Sequence, residues 1–168
     1  MNTPDDNTQQ KDLDFMARAL ALARRSQQLG EVPIGALVVD ETGKVLSEAT
    51  NLREMHTSVL GHAEMIAIHR ACKKKKSWRL NGCTLYVTLE PCFMCAGALV
   101  QSRIARVVYG TQDPKGGALG SLTDLSIDQR LNHNFIVTAG VRAEDCSALL
   151  KDFFKEKRRS KKSTSVKN

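Results

Sequence analysis

Two cysteines, Cys92 and Cys95, stand three residues apart directly behind Pro91 in the stretch TLEPCFMCAGALV. On the first turn of a helix that spacing turns both sulfurs to one side. Pro91 is suited to a helix start, where its missing N–H costs nothing. The positive end of the helix dipole then favours thiolate over thiol. Two thiolates at a helix start after a strand suit either of two chemistries. One is dithiol exchange, as in Cys-x-x-Cys oxidoreductases; the other is half of a zinc site that draws further ligands from elsewhere. A structural zinc knot needs a second close pair, and Cys72, Cys83 and Cys146 are isolated, each fitting a small buried hydrophobe. The stretch GHAEM adds His62 and Glu64 at the start of another helix. Residues two apart on a regular helix face opposite ways, so the two can serve one site only if His62 sits at the helix mouth.

These residues have to be positioned by a single domain. The chain has 168 residues, 42% hydrophobic and 26% charged, a soluble globular composition long enough to bury a core. No apolar run nears the ~20 residues of a membrane span. The opening MNTPDDNTQQKD has neither the basic start nor the apolar stretch of a signal peptide, so a cytoplasmic location is expected. Five irregularly spaced cysteines do not make a disulfide framework. The net charge of +7 is concentrated in KKKK at 73–76 and in KEKRRSKK at 155–162. The first run reads as a solvated loop, the second as a surface for phosphates.

Residues 1–11 read as an unstructured lead, 12–159 as one domain and 160–168 as an unstructured basic tail. From Asp12 the pattern is helical, with Leu13, Met16, Leu20 and Ala23 on the buried side and Gly30 as a stop. PIGALVVD and KVLSEAT flank Glu41-Thr42-Gly43 as a hairpin. The run 51–60 is loop and HAEMIAIHRAC is helix. TLYVTLE is a strand, CFMCAGALVQS a helix, ARVVYG and FIVTAG strands. A last helix from Ala143 to about Arg159 buries Cys146, Leu149, Leu150, Phe153 and Phe154. The connection 110–134 is long enough to be functional rather than idle. The alternation predicts a three-layer α/β/α sandwich around a mixed sheet of about five strands.

Taken together, His-x-Glu and Pro-Cys-x-x-Cys are identified as the signature of the zinc-dependent nucleobase deaminases. From about Asp12 to Phe154 the chain resembles the bacterial tRNA-specific adenosine deaminases, in GEVPIGALVV, TLYVTLEPCFMCAGAL, RIARVVYG, GALGSL and LNHNFIVTAG. The resemblance implies a cytidine-deaminase-like fold, a homodimer and conversion of the wobble adenosine of a tRNA anticodon stem-loop to inosine. It implies one zinc per chain on His62, Cys92 and Cys95, with Glu64 moving protons. It also implies substrate contacts from Asn51, the backbone N–H of Ala63, and Asp113. The chain departs from the pattern at Ser58-Val59-Leu60-Gly61, where many members carry Asp-Pro-Thr-Ala, which bears on substrate preference. A deaminase of free nucleosides, nucleotides or bases is the alternative within the superfamily. A dithiol oxidoreductase, or a non-catalytic RNA-binding subunit, is the alternative outside it.

Overall fold

The computed structural model describes the backbone of residues 6–165 and the side chains of residues 6–160. Its elements are α1 (Asp6–Gln28), β1 (Gly35–Val39), β2 (Val45–Thr50), α2 (Ala63–Lys75), β3 (Thr84–Leu89), α3 (Phe93–Gln101), β4 (Arg106–Thr111), β5 (Ile136–Ala139) and α4 (Ala143–Ser165). The sheet order is β2-β1-β3-β4-β5. β1 pairs antiparallel with both β2 and β3, whereas β3–β4 and β4–β5 are parallel. The expected mixed five-stranded sheet is therefore present, and its interior strands are apolar on both faces because helices cover both.

Alternation along the strands divides the core in two. Ala36, Val38, Leu85, Val87 and Val107 face Ala63 and Ala67 of α2 and Ala96 and Leu99 of α3. Leu37, Val39, Tyr86 and Val108 face Met16 and Leu20 of α1 and Cys146 of α4. The layers are those of an α/β/α sandwich.

Two boundaries differ from the sequence reading. α1 starts at Asp6, inside the expected lead, and α4 continues through Ser165, inside the expected tail. Residues 1–5 and 166–168 lie outside the described residues. Both extensions are polar and carry no apolar period. Lengthening a nucleated helix adds one hydrogen bond per residue, and the Lys, Arg and Glu of α4 are good helix formers.

Leu13 also differs, being 38% exposed, while its neighbour Asp12 is buried. The buried stripe of α1 runs through 12, 16, 19 and 23, so it takes in the aspartate instead of the leucine. Arg106 explains why a charge is tolerated there. Its Nη1 donates to Asp12 Oδ1 at 2.9 Å and its Nη2 donates to Oδ2 at 2.6 Å and to Thr138 Oγ1 at 2.7 Å. The Tyr86 hydroxyl donates to Asp12 Oδ1 at 2.8 Å. Burial, then the Asp12 carboxylate, pushes the Tyr86 phenol well above its usual range. One carboxylate thus ties α1 to β3 and β4 directly, and to β5 through Arg106. Asp12→Ala, which strands the guanidinium, should cost about 3–5 kcal/mol in urea unfolding. Leu13→Ala, at the partly exposed neighbouring position, should cost under about 1 kcal/mol; equal costs would show that the ion pair does not hold α1.

Candidate active site

α2 and α3 both begin on a residue whose side chain does not cap its own helix. His62 is the N-cap of α2 (φ −67°, ψ 142°) and Cys92 the N-cap of α3 (φ −74°, ψ 174°). A serine or aspartate there would turn back onto the first-turn N–H groups. The imidazole and thiol instead meet each other. His62 Nδ1 lies 3.7 Å from Cys92 Sγ and 3.5 Å from Cys95 Sγ. One ligand atom from each of the three residues falls within 4.8 Å of the others.

His62 thus stands at the helix mouth, as its spacing to Glu64 requires. Pro91 is one step further out than expected: the helix starts at Phe93, so Pro91 precedes the cap and Cys92 and Cys95 are N-cap and third residue. The proline ends extended chain instead, its carbonyl accepting from Ala118 N–H at 2.9 Å while Cys92 bridges to Gly117. Ala63 is the first residue of α2 and its N–H belongs to the turn that lacks intrahelical acceptors.

The electrostatics suit a soft dication. The hydrogen bond from Cys95, with that from His62 behind it and burial opposing, brings the Cys92 thiol down to about 4. Cys95, which holds the shared proton and is buried, moves strongly the other way. The hydrogen bond to Cys92 raises the His62 imidazole above its ordinary value. With the shared protons displaced by a dication, these two sulfurs and the imidazole would make a zinc donor set with a fourth position free for water. Glu64 supports the same reading. It is buried, burial raises its carboxyl pKa, and its Oε2 has no hydrogen-bond partner among the described residues. Leaving a buried acceptor unpaired costs about 1–3 kcal/mol, so a built site keeps one for a ligand or a proton.

A cleft of about 400 Å³ opens here, lined by His62, Glu31, Asn51, Asp113, Phe154 and Lys157 among others. A second cleft of about 590 Å³ along α4 shares Asp113 and Phe154 with it. Asn51 and Asp113, far apart in sequence, are therefore brought to one wall. Phe154 corrects an expectation: it is 41% exposed and faces the cleft, not the core. His133 pairs through Nε2 with the Ile104 carbonyl at 2.6 Å, and His56 and His69 are exposed.

Two buried carboxylates escape the sequence reading. Glu31 accepts from Asn51 Nδ2 at 3.3 Å and from Met55 N–H at 2.7 Å, fixing the asparagine and the loop after it. Glu90 binds the loop that carries Asp113. The available signal was a lone charge close before a proline at the edge of an apolar strand, in GEVPIG and TLEPC.

The comparisons with known proteins agree with this geometry. A family model described as MafB19-like deaminase matches residues 10–158. The chain is 49% identical to a tRNA-specific adenosine deaminase of Bacillus subtilis over 88% of its length and 91% of the relative's. It is 45% identical to one of Haemophilus influenzae over 90% and 87% of the two chains. A solved structure from studies of A-to-I editing by tRNA:A34 deaminases at the wobble position superposes with a TM-score of 0.78 at 40% identity, covering 82% of this chain and 99% of that one. These matches displace the dithiol oxidoreductase reading of Cys92 and Cys95, and with His62 and Glu64 converging on that pair, the chain belongs to the MafB19-like deaminase family and groups there with the tRNA-specific adenosine deaminases.

Proposed function

We propose that the protein deaminates adenosine to inosine at the wobble position of a tRNA anticodon, by hydrolysis. The observation that carries this is the meeting of His62, Cys92 and Cys95 at two helix mouths beside the unpaired Oε2 of Glu64. The activity for which relatives at 41–49% identity are named supports the substrate class. One zinc per chain would be held by His62, Cys92 and Cys95; when bound it supplies Lewis acidity, lowering a water pKa from about 15.7 to about 7.

Glu64 does the proton work. It takes a proton from the attacking water as the new C–O bond forms at the amino-bearing carbon, and gives it to the adjacent ring nitrogen. A second proton from the same water then goes through Glu64 to the amino group, which leaves as ammonia. Adenosine and water enter; inosine and ammonia leave. Burial suits the role because it raises the carboxyl's affinity for the proton it must hold between steps. In this reading Asn51, held by Glu31, contacts the flipped base, and the Ala63 N–H meets the group under attack. Asp113 faces the ribose of a neighbouring nucleotide.

The exposed basic side chains Lys155, Lys157, Arg158 and Arg159 of α4 form no ion pair among the described residues, and Lys157 and Arg158 reach the two clefts. They are suited to anticodon phosphates. A cytoplasmic location fits a tRNA substrate, and no helix among the described residues is long and apolar enough to cross a membrane. The apolar side chains Met55, Val59, Leu60, Phe93 and Leu122 are exposed on segments flanking His62 and Cys92, which supports a homodimer with its interface beside the site.

Glu64→Gln keeps the shape but cannot accept the proton. Turnover of an anticodon stem-loop should fall by about 10⁴ or more while zinc content stays near one per chain. Cys92→Ser and His62→Ala should lose the metal instead. Near-normal turnover by zinc-loaded Glu64→Gln would sink the proton assignment. Replacing Lys157, Arg158 and Arg159 together by Ala should weaken stem-loop binding and flatten its salt dependence by roughly 0.7–0.9 in log–log slope for each phosphate left without its cation. Unchanged affinity, with free adenosine turned over as well as the stem-loop, would favour a nucleoside deaminase. Sedimentation should return twice the 18.5 kDa of one chain, and a monomer at micromolar concentration would remove the dimer reading.

A further inference from the structure

Glu90 is almost wholly buried, with no Lys or Arg as an ion-pair partner among the described residues. Its charge is met by one loop. Oε1 accepts from the N–H groups of Leu119 and Ser121, each at 3.0 Å. Oε2 accepts from the N–H of Asp113 at 3.0 Å and from the Ser121 hydroxyl. A carboxylate offers about four lone-pair positions, and here all four are filled by donors from residues 113–121. The loop is pressed onto the group: a Cβ added to Gly117 would stand 2.3 Å from Glu90 Cδ. The same loop reaches the turn two residues further on, through Ala118 N–H to the Pro91 carbonyl and the Gly117–Cys92 bridge. Asp113, whose N–H donates to this carboxylate, is among the residues that line the cleft.

We propose that Glu90 is a positioning residue: its carboxylate docks the 113–121 loop against the Cys92 turn and so sets Asp113 at a fixed place on the substrate wall. The inference rests on the deaminase reading for what Asp113 faces, but not for the docking itself. Among the described residues the Glu90 carboxylate makes no hydrogen bond to His62, Cys92, Cys95 or Glu64, so its loss acts first on the loop, and zinc content reports any effect passed on to the Cys92 turn. Glutamine in its place keeps the shape, offers about half the acceptor capacity and, in either orientation, sets an amide NH2 against at least one backbone N–H donor.

The test uses the zinc-loaded full chain with an anticodon stem-loop, and compares wild type, Glu90→Gln, Asp113→Ala and the double variant. Glu90→Gln should raise KM about tenfold or more, with zinc content unchanged and kcat within about threefold. In the Asp113→Ala background the same change should raise KM much less, since both act through one side chain. Hydrogen exchange should speed up at the amides of Asp113, Leu119 and Ser121 in Glu90→Gln, a readout independent of activity. Should that variant fail to fold, Ser121→Ala removes one of the four donors and should give a smaller effect of the same kind. Equal KM factors in both backgrounds, loss of zinc or kcat with KM unmoved, or unchanged exchange at the three amides would each overturn the proposal. A wild type that holds zinc but does not edit the stem-loop counts against the proposed function; the exchange measurement then decides the docking alone.

Discussion

A charge taken out of water must be met by something, and around this site three carboxylates are buried with no Lys or Arg ion-pair partner among the described residues. Glu31 is met by the Asn51 amide and the Met55 N–H, and Glu90 by three N–H groups and a hydroxyl. Glu31 therefore ties the start of the 51–60 loop to the α1–β1 connection, and Glu90 ties the 113–121 loop to the end of β3. Glu64 is the exception, with one oxygen unmatched among the described residues. The difference separates structure from chemistry. A satisfied buried carboxylate holds its surroundings still, whereas an unsatisfied one is available to a proton.

The rest of the architecture serves the meeting of two helix mouths. β3 is the middle strand, antiparallel to one neighbour and parallel to the other, so the chain leaving its end reaches α3 beside the start of α2. Ligands in open α/β sheets bind outside the carboxyl ends of strands at such a reversal, where helix N-termini present N–H groups and partial positive charge. The described residues of the other layer's helices, α1 and α4, take no part in the cluster of His62, Cys92 and Cys95. α1 is fastened by Asp12 and Arg106, and Lys155, Lys157, Arg158 and Arg159 of α4 are exposed.

Much of this was legible in the sequence, and what was not has a common cause. Apolar, β-rich runs located the strands, because the interior strands of a sheet covered on both faces are apolar along their length. His62 and the cysteine pair were legible as types and spacings. Periodicity reports which residues are apolar, though, and not what an apolar stripe covers. Phe154 continues the stripe of Cys146 and Leu150, yet it faces a cleft and not the core. Asp12 is buried on account of Arg106, a partner 94 positions away that no local pattern reveals. Glu31 and Glu90 were missed for the same reason, since the N–H groups that satisfy them come from distant loops.

The departure from the family pattern before His62 has a physical reading. Leu52 N–H donates to the Gly61 carbonyl at 2.8 Å, so residues 52–61 form a loop closed at its neck. Asn51 leaves one side of that neck and His62 the other. A Cβ on Gly61 would stand 2.8 Å from Arg53 Cα and 2.9 Å from the Leu52 carbonyl oxygen. Those are backbone atoms that no rotamer change can move, so an alanine at this position requires a wider neck. The chain thus closes its loop more tightly than a sequence with a side chain there could. Ser58, Val59 and Leu60 lie beyond the neck, on the exposed or half-buried rim. His62 is held from its other side by α2, and Asn51 by Glu31, Ser26 and the Ile34 carbonyl. The difference therefore falls on the neck and outer part of this loop, while His62 and the buried asparagine keep their own partners.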